Sequence, residues 1–184
     1  MTNRLQNIIR ELKEGYHLEL VNEQFSNEII LNESVQFSIL GDITFFNVDF
    51  RNVDFIGSHV VACNFKNCRF NNGMLVKCEF WNSTFENCQI ENCNLTWGAF
   101  YDGNFKDCNF RKVNLRASDF SNFEFIETKF KNSKLDFIGV RCIKVSNSNQ
   151  SIEIEKSSNL EKILKDMNLI ISTDQDEMEK SEKK

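Results

Sequence analysis

Residues 63–70 read CNFKNCRF. Cys63 and Cys68 stand five apart, and each is followed two places later by a phenylalanine, Phe65 and Phe70. Cysteines among asparagines and charged residues admit two readings. They belong to a metal site or disulfide framework, or they are small residues in a repeating slot.

Counting by fives from Phe45 decides between them. The positions are Phe45, Phe50, Phe55, Val60, Phe65, Phe70, Leu75, Phe80, Phe85, Ile90, Leu95, Phe100, Phe105, Phe110, Leu115, Phe120, Phe125, Phe130, Leu135 and Val140. All are phenylalanine or aliphatic, and they take 13 of the 18 phenylalanines in the chain. Two places before each large residue sits a small or modest one, for example Val48, Ser58, Cys63, Cys68, Gly73 and Cys88. Six of the seven cysteines fall in this slot, and only Cys142 does not. Asparagine is common two places after the large residue, as at Asn47, Asn52, Asn67 and Asn87.

A period of five fits neither a helix nor a strand. It fits a chain that turns a corner every five residues, with the large and the small residue pointing inward. Four such sides close a square coil of twenty residues, and successive coils pair like rungs about 4.8 Å apart. A chain with no proline suits a ladder that needs nearly every amide as a donor. The units CNFKN, CRFNN, CEFWN, CNFRK and SDFSN resemble the pentapeptide repeat family, over about residues 41–145. The resemblance implies an all-β solenoid, a right-handed quadrilateral β-helix of about five coils, with phenylalanine where leucine is more usual.

Twenty-residue coils stack the large residues into inner columns. The first holds Phe45, Phe65, Phe85, Phe105 and Phe125. The second holds Phe50, Phe70, Ile90, Phe110 and Phe130, the third runs from Phe55 to Leu135, and the fourth from Val60 to Val140. Stacked rings add about 0.5–1.5 kcal/mol per pair beyond area burial. Open solenoid ends need caps. Residues 3–14 read as a helix on Leu5, Ile8, Ile9 and Leu12, ending near Gly15. Residues 16–40 keep the phase in their large positions but not around them, and are either one degenerate coil or a short β-cap. SIEIE after residue 150 alternates like a strand, and Ser158 is placed to cap a helix over about 159–169. The charged tail, 173–184, is expected to be disordered.

The chemistry weighed against this frame is sparse. Cys68, Cys88 and Cys108 form a vertical column within disulfide range, but lack paired zinc-ligand spacing and are read as core thiols. No nucleophile is matched to a base, no phosphate-binding glycine loop occurs, and no enzyme activity, metal or cofactor is expected. The start MTNRLQNIIRELKEG has no apolar signal core, and no apolar run would span a membrane, so a cytoplasmic location is expected.

Non-catalytic binding remains. Some members of the resembled family confer quinolone resistance as acidic, DNA-like rods that bind DNA gyrase, which makes DNA mimicry the alternative function. Yet residues 41–145 carry 12 acidic and 13 basic residues, in mixed ladders such as Lys66, Glu86 and Lys106. A duplex mimic needs a dense acidic face. The bases show no single-face clustering by this reading, so no direct nucleic-acid binding is expected. Val61, Trp81 and Tyr101 share one outward column with Trp97 nearby, and exposed aromatics of this kind suit a docking patch. A terminal segment folding over them is the other explanation. The expected role is a protein-interaction scaffold, with homodimerisation through the C-terminal helix implied by the resemblance.

Overall fold

This computed structural model describes residues 3–12, 16–157 and 159–171. Within them the five-residue phase builds a four-sided, parallel β-solenoid of about six turns. Most sides are three-residue strands, such as Thr44–Phe46, Asp49–Arg51 and His59–Val61, whose central residue is buried between two outward ones. Pairing steps by one coil, so Phe45 faces Phe65 and Phe65 faces Phe85.

We number the faces by their inner columns. Face one runs from Phe25 through Phe125 to Val145, and face two from Ile30 through Phe130 to Ile170. Face three holds Val35, Phe55, Leu75, Leu95, Leu115 and Leu135, and pairs only through single bridges such as Asp54 to Met74. Face four runs from Leu20 to Val140.

The corners explain the asparagines. Two places after each large residue the backbone is left-handed, with φ between +48° and +67°, and Asn fills 12 of these 25 corners. Asn and Asp tolerate this region better than other non-glycine residues. Corner amides also bond along the coil axis, Asn47 Nδ2 to Asn27 Oδ1 at 2.7 Å and Asn52 Nδ2 to Asn32 Oδ1 at 2.8 Å.

Several small slots carry hydrogen bonds as well as filling space. Cys68 Sγ donates to the Phe45 carbonyl at 3.3 Å, and Cys88 Sγ to that of Phe65 at 3.3 Å. Ser58 and Thr128 donate in the same way to Val35 and Phe105, at 2.7 and 2.8 Å. Where the slot holds Cys, Ser or Thr, the side chain donates to the carbonyl one rung away, whereas Val48, Val53 and Val113 fill it by apolar size alone.

The phenylalanine columns stack as expected on faces two and four. Phe50 and Phe70 lie 4.8 Å apart, and Phe100 and Phe120 lie 4.7 Å apart, both nearly parallel. On face one the stack holds from Phe45 to Phe85 and then tilts by 51° at Phe105. The cause is Phe123, a large side chain buried in a small slot, whose ring lies 5.0 Å from that of Phe105. Gly103 sits one rung below it in the same slot. A Cβ there would fall 2.2 Å from the Ser83 carbonyl oxygen and 3.0 Å from the Phe123 ring.

Residues 16–40 form a full coil, so the count is about six rather than about five. It opens with Glu19–Val21, Gln24–Ser26 and Ile29–Leu31. Its small slots hold Glu23, Glu28 and Glu33 because no rung lies before them, and they bind the capping helix α1 (Arg4–Arg10) instead. Arg4 pairs with Glu23 at 2.6 Å, the Leu5 amide donates to Glu28 at 2.8 Å, and Gln6 and Arg10 bond Glu33 at 2.8 and 2.6 Å. Leu5 and Ile9 close the apolar end. Helix α1 ends at Arg10 with Glu11 as its C-cap, short of the expected end near Gly15; Gly15 itself lies outside the described residues, as do Ser158 and the tail at 173–184.

At the other end, Gly139–Ser146 continues across faces four and one, and Ser151–Ser157 pairs with it antiparallel. Helix α2 spans Leu160–Asp166, shorter than expected, and Asn159 caps it by accepting from the Lys162 amide at 3.2 Å. It stops early because the chain must extend again, and Ile170 pairs with Phe130 on face two. Leu160, Leu164, Met167 and Leu169 bury against the coil end.

Gly103→Ala is expected to destabilise the chain by about 1–3 kcal/mol, because the added methyl meets backbone that the ladder holds in place. Denaturant unfolding measures it, and an unchanged midpoint would contradict this packing.

Candidate functional site

Face four positions the exposed aromatics. Alternation along each short strand turns Val60, Phe80 and Phe100 inward and Val61, Trp81 and Tyr101 outward. The one-coil register then stacks the outward residues, with Val61 opposite Trp81 and Trp81 opposite Tyr101. The Trp81 and Tyr101 rings meet at 4.2 Å. Val21 and Ile39, in the coil that the sequence left ambiguous, extend the apolar surface, and Gly41 keeps the column low between Val21 and Val61. Their signal was the unbroken phase of Leu20 and Leu40.

Polar groups fix the centre of this surface. Glu79 accepts from Trp81 Nε1 at 3.2 Å and lies 3.3 Å from His59 Nδ1. Trp81 remains 41% exposed. Helix α2 packs on the coil end, so among the described residues no terminal segment covers the stripe. Trp97 is not part of the ring pair. It stands at the corner between faces three and four, 65% exposed with φ +60°.

Sorting charges by face changes the sequence picture. Counting each face with its following corner, face four carries Glu19, Asp42, Glu79, Asp102 and Asp119 against Arg141. The opposite face two carries Arg51, Arg69, Arg111, Lys112, Lys129 and Lys131 against Asp49 and Glu91. The bases therefore do cluster on one face, contrary to the sequence reading. A sum over the whole coil hides this, because the two faces cancel. Face one shows the mixed ladder, with Lys66 and Lys106 on Glu86 at 3.0 and 3.1 Å.

A family model for pentapeptide repeats matches residues 63–97 and 104–137, in 8 copies. Over those residues the coil is built of pentapeptide repeats. Among solved structures, a pentapeptide repeat protein (Rfr23) from the cyanobacterium Cyanothece 51142 is 12% identical, with 58% of this chain and 84% of that one covered and a TM-score of 0.48. HetL, a pentapeptide repeat protein involved in heterocyst differentiation regulation from Nostoc sp. strain PCC 7120, is 8% identical, with coverages of 73% and 94% and a TM-score of 0.30. A trypsin-treated form of QnrB1, a plasmid-mediated fluoroquinolone resistance protein, is 15% identical, with coverages of 84% and 98% and a TM-score of 0.27. No sequence among the curated proteins matches.

The slot cysteines of the pentapeptide repeat coil are all free and buried, and only Cys142, at a corner, is exposed. Burial pushes Cys63 and Cys93 up to about 11 and Cys78 up to about 12, from 9.0. Cys88 is also raised, by hydrogen bonding with Cys108 and Cys68 and by burial. Thiols held protonated are poor nucleophiles and poor metal ligands. Among the described residues, no three His, Cys, Asp or Glu side chains form a metal-holding group, and no helix is long and apolar enough to cross a membrane.

These thiols predict an alkaline limit to stability. Unfolded thiols release protons near 9 and folded Cys63, Cys78 and Cys93 only near 11 to 12, so the stability these three contribute below about 9 falls as pH rises through the folded values. Denaturation midpoints measured across this range check it. Cys78→Ser, which repeats Ser58 and Ser118 of its own column, should show a smaller fall. In the native protein, a thiol reagent should label Cys142 alone. Rapid labelling of all seven cysteines would contradict the burial.

Proposed function

We propose that this chain is a non-catalytic protein-interaction scaffold whose docking surface is face four. The observation that carries the reading is the Trp81–Tyr101 ring pair at 4.2 Å, outward on a rigid parallel ladder. Aromatic side chains at the centre of a flat, ordered surface are the residues that dominate protein interfaces. The carboxylates interleaved with the stripe suit a partner segment that presents apolar and basic side chains together. Free thiols throughout fit work in a reducing compartment such as the cytoplasm.

DNA mimicry of the gyrase-binding kind has less support. The face-four carboxylates are spread along seven strands and interrupted by Val61, Trp81 and Tyr101, so they do not form the dense acidic surface that a basic groove requires. Dimerisation through α2 likewise lacks an open apolar side, since Leu160 and Leu164 are turned into the coil.

The double substitution Trp81→Ser and Tyr101→Ser is expected to weaken a partner recovered with the wild-type chain by more than about tenfold, as loss of a hot spot does. Circular dichroism should keep its β signal. Equal recovery with the double variant would overturn the docking surface. Inhibition of gyrase supercoiling by the wild-type chain would favour mimicry instead.

A further inference from the structure

We propose that the strand Ser151–Ser157 is an open sheet edge that takes up an extended segment of another protein, one that alternates apolar and basic side chains. Tyr101, Ser121, Arg141 and Lys156 follow one another across the ladder, so this edge lies three rungs beyond the Trp81–Tyr101 pair. Most sides of the coil are strands of three residues, and this one has seven. Among the described residues it pairs with Gly139–Ser146 alone, and nothing bonds its other edge. The first coil is closed differently, by helix α1.

The ladder shows which backbone groups are open. The Lys144 amide donates to the Phe123 carbonyl at 3.0 Å, and the Ser146 carbonyl accepts from the Glu127 amide at 2.9 Å, so both residues are turned toward the coil. The residues opposite them in the antiparallel pair, Glu153 and Ser151, are therefore turned away from it. Their N–H and C=O groups face out along the rod axis. A strand added to such an edge gains affinity from main-chain hydrogen bonds and specificity from its alternate side chains.

The side chains state what that segment presents. Ile152 and Ile154 lie opposite the buried Val145 and Ile143, and both keep exposed surface, which forms an apolar ledge. Glu153 and Glu155 alternate with them. With Glu124 they line a shallow hollow of about 480 Å³, three carboxylates against the one ammonium of Lys144, which stands between Glu124 and Glu153 in the ladder. The strand's own base, Lys156, comes near its far end, opposite Arg141. The same acids exclude a second copy of the strand. Two such strands paired about a two-fold axis set Glu153 or Glu155 against itself or against the other in each central register, and like charges placed opposite each other destabilise a sheet. Charged residues commonly blunt an open edge; here their single sign leaves it open to lysine or arginine.

The test is fluorescence anisotropy of the full chain with a labelled peptide of the strand's length, seven residues, alternating valine and lysine. The peptide should bind, and its counterpart with glutamate for lysine should bind about tenfold more weakly. A form N-methylated along its backbone keeps every charge and should not bind. Glu153→Pro removes an outward amide that the native ladder does not use, and should weaken binding about tenfold. Glu153→Gln keeps that amide and should cost about threefold. No binding of the valine–lysine peptide, equal binding of its N-methylated form, or undiminished binding by Glu153→Pro would overturn the proposal. If Glu153→Pro loses the β signal in circular dichroism, the N-methylated peptide decides alone. A concentration-dependent rise in mass that Glu153→Pro abolishes would assign the edge to a second copy of this chain and overturn the basic-segment reading. Each of these outcomes leaves the face-four reading standing.

Discussion

Every fifth residue of the coil must take a left-handed backbone conformation, and the rest of the molecule follows from that constraint. The corner turns the chain and leaves three residues per side in extended form. Two of every five side chains then point inward, and the amides point along the coil axis to pair with the next rung. Asparagine is common at the corner because it tolerates left-handed geometry and bonds to its counterpart one coil away. Proline would remove a ladder donor, and the chain has none.

The interior is solved within these positions. Phenylalanine rings stack at the rung spacing, and the small slots hold Cys, Ser or Thr, which also donate to the carbonyl one rung away, or Val and Gly, which fill the space alone. Where one slot departs from the rule, another compensates. Phe123 occupies a small slot, Gly103 below it leaves the room, and the Phe105 ring tilts to accommodate both.

The five-phase made the coil, its columns and the outward line of Val61, Trp81 and Tyr101 legible from residues alone, since each follows from counting. Three things were not legible. The first coil was obscured because Glu23, Glu28 and Glu33 break the small-residue template, and their reason is a helix whose contacting residues lie 19 to 27 positions away in sequence and that only the folded end brings near. Phe123 gave no warning because its tolerance depends on a glycine one coil earlier. The segregation of acids to face four and bases to face two was present in the numbering, yet a net charge near zero over the coil conceals it until residues are assigned to sides.

The central claim is that twenty residues of chain advance the rod by one rung. Spin labels on outward face-four positions in one column, with Cys142 replaced by serine, measure it directly. A pair at positions 19 and 79 should lie about 14 Å apart by backbone spacing, and a pair at 19 and 119 about 24 Å. Distances that do not grow by about one rung for every twenty residues would contradict the coil.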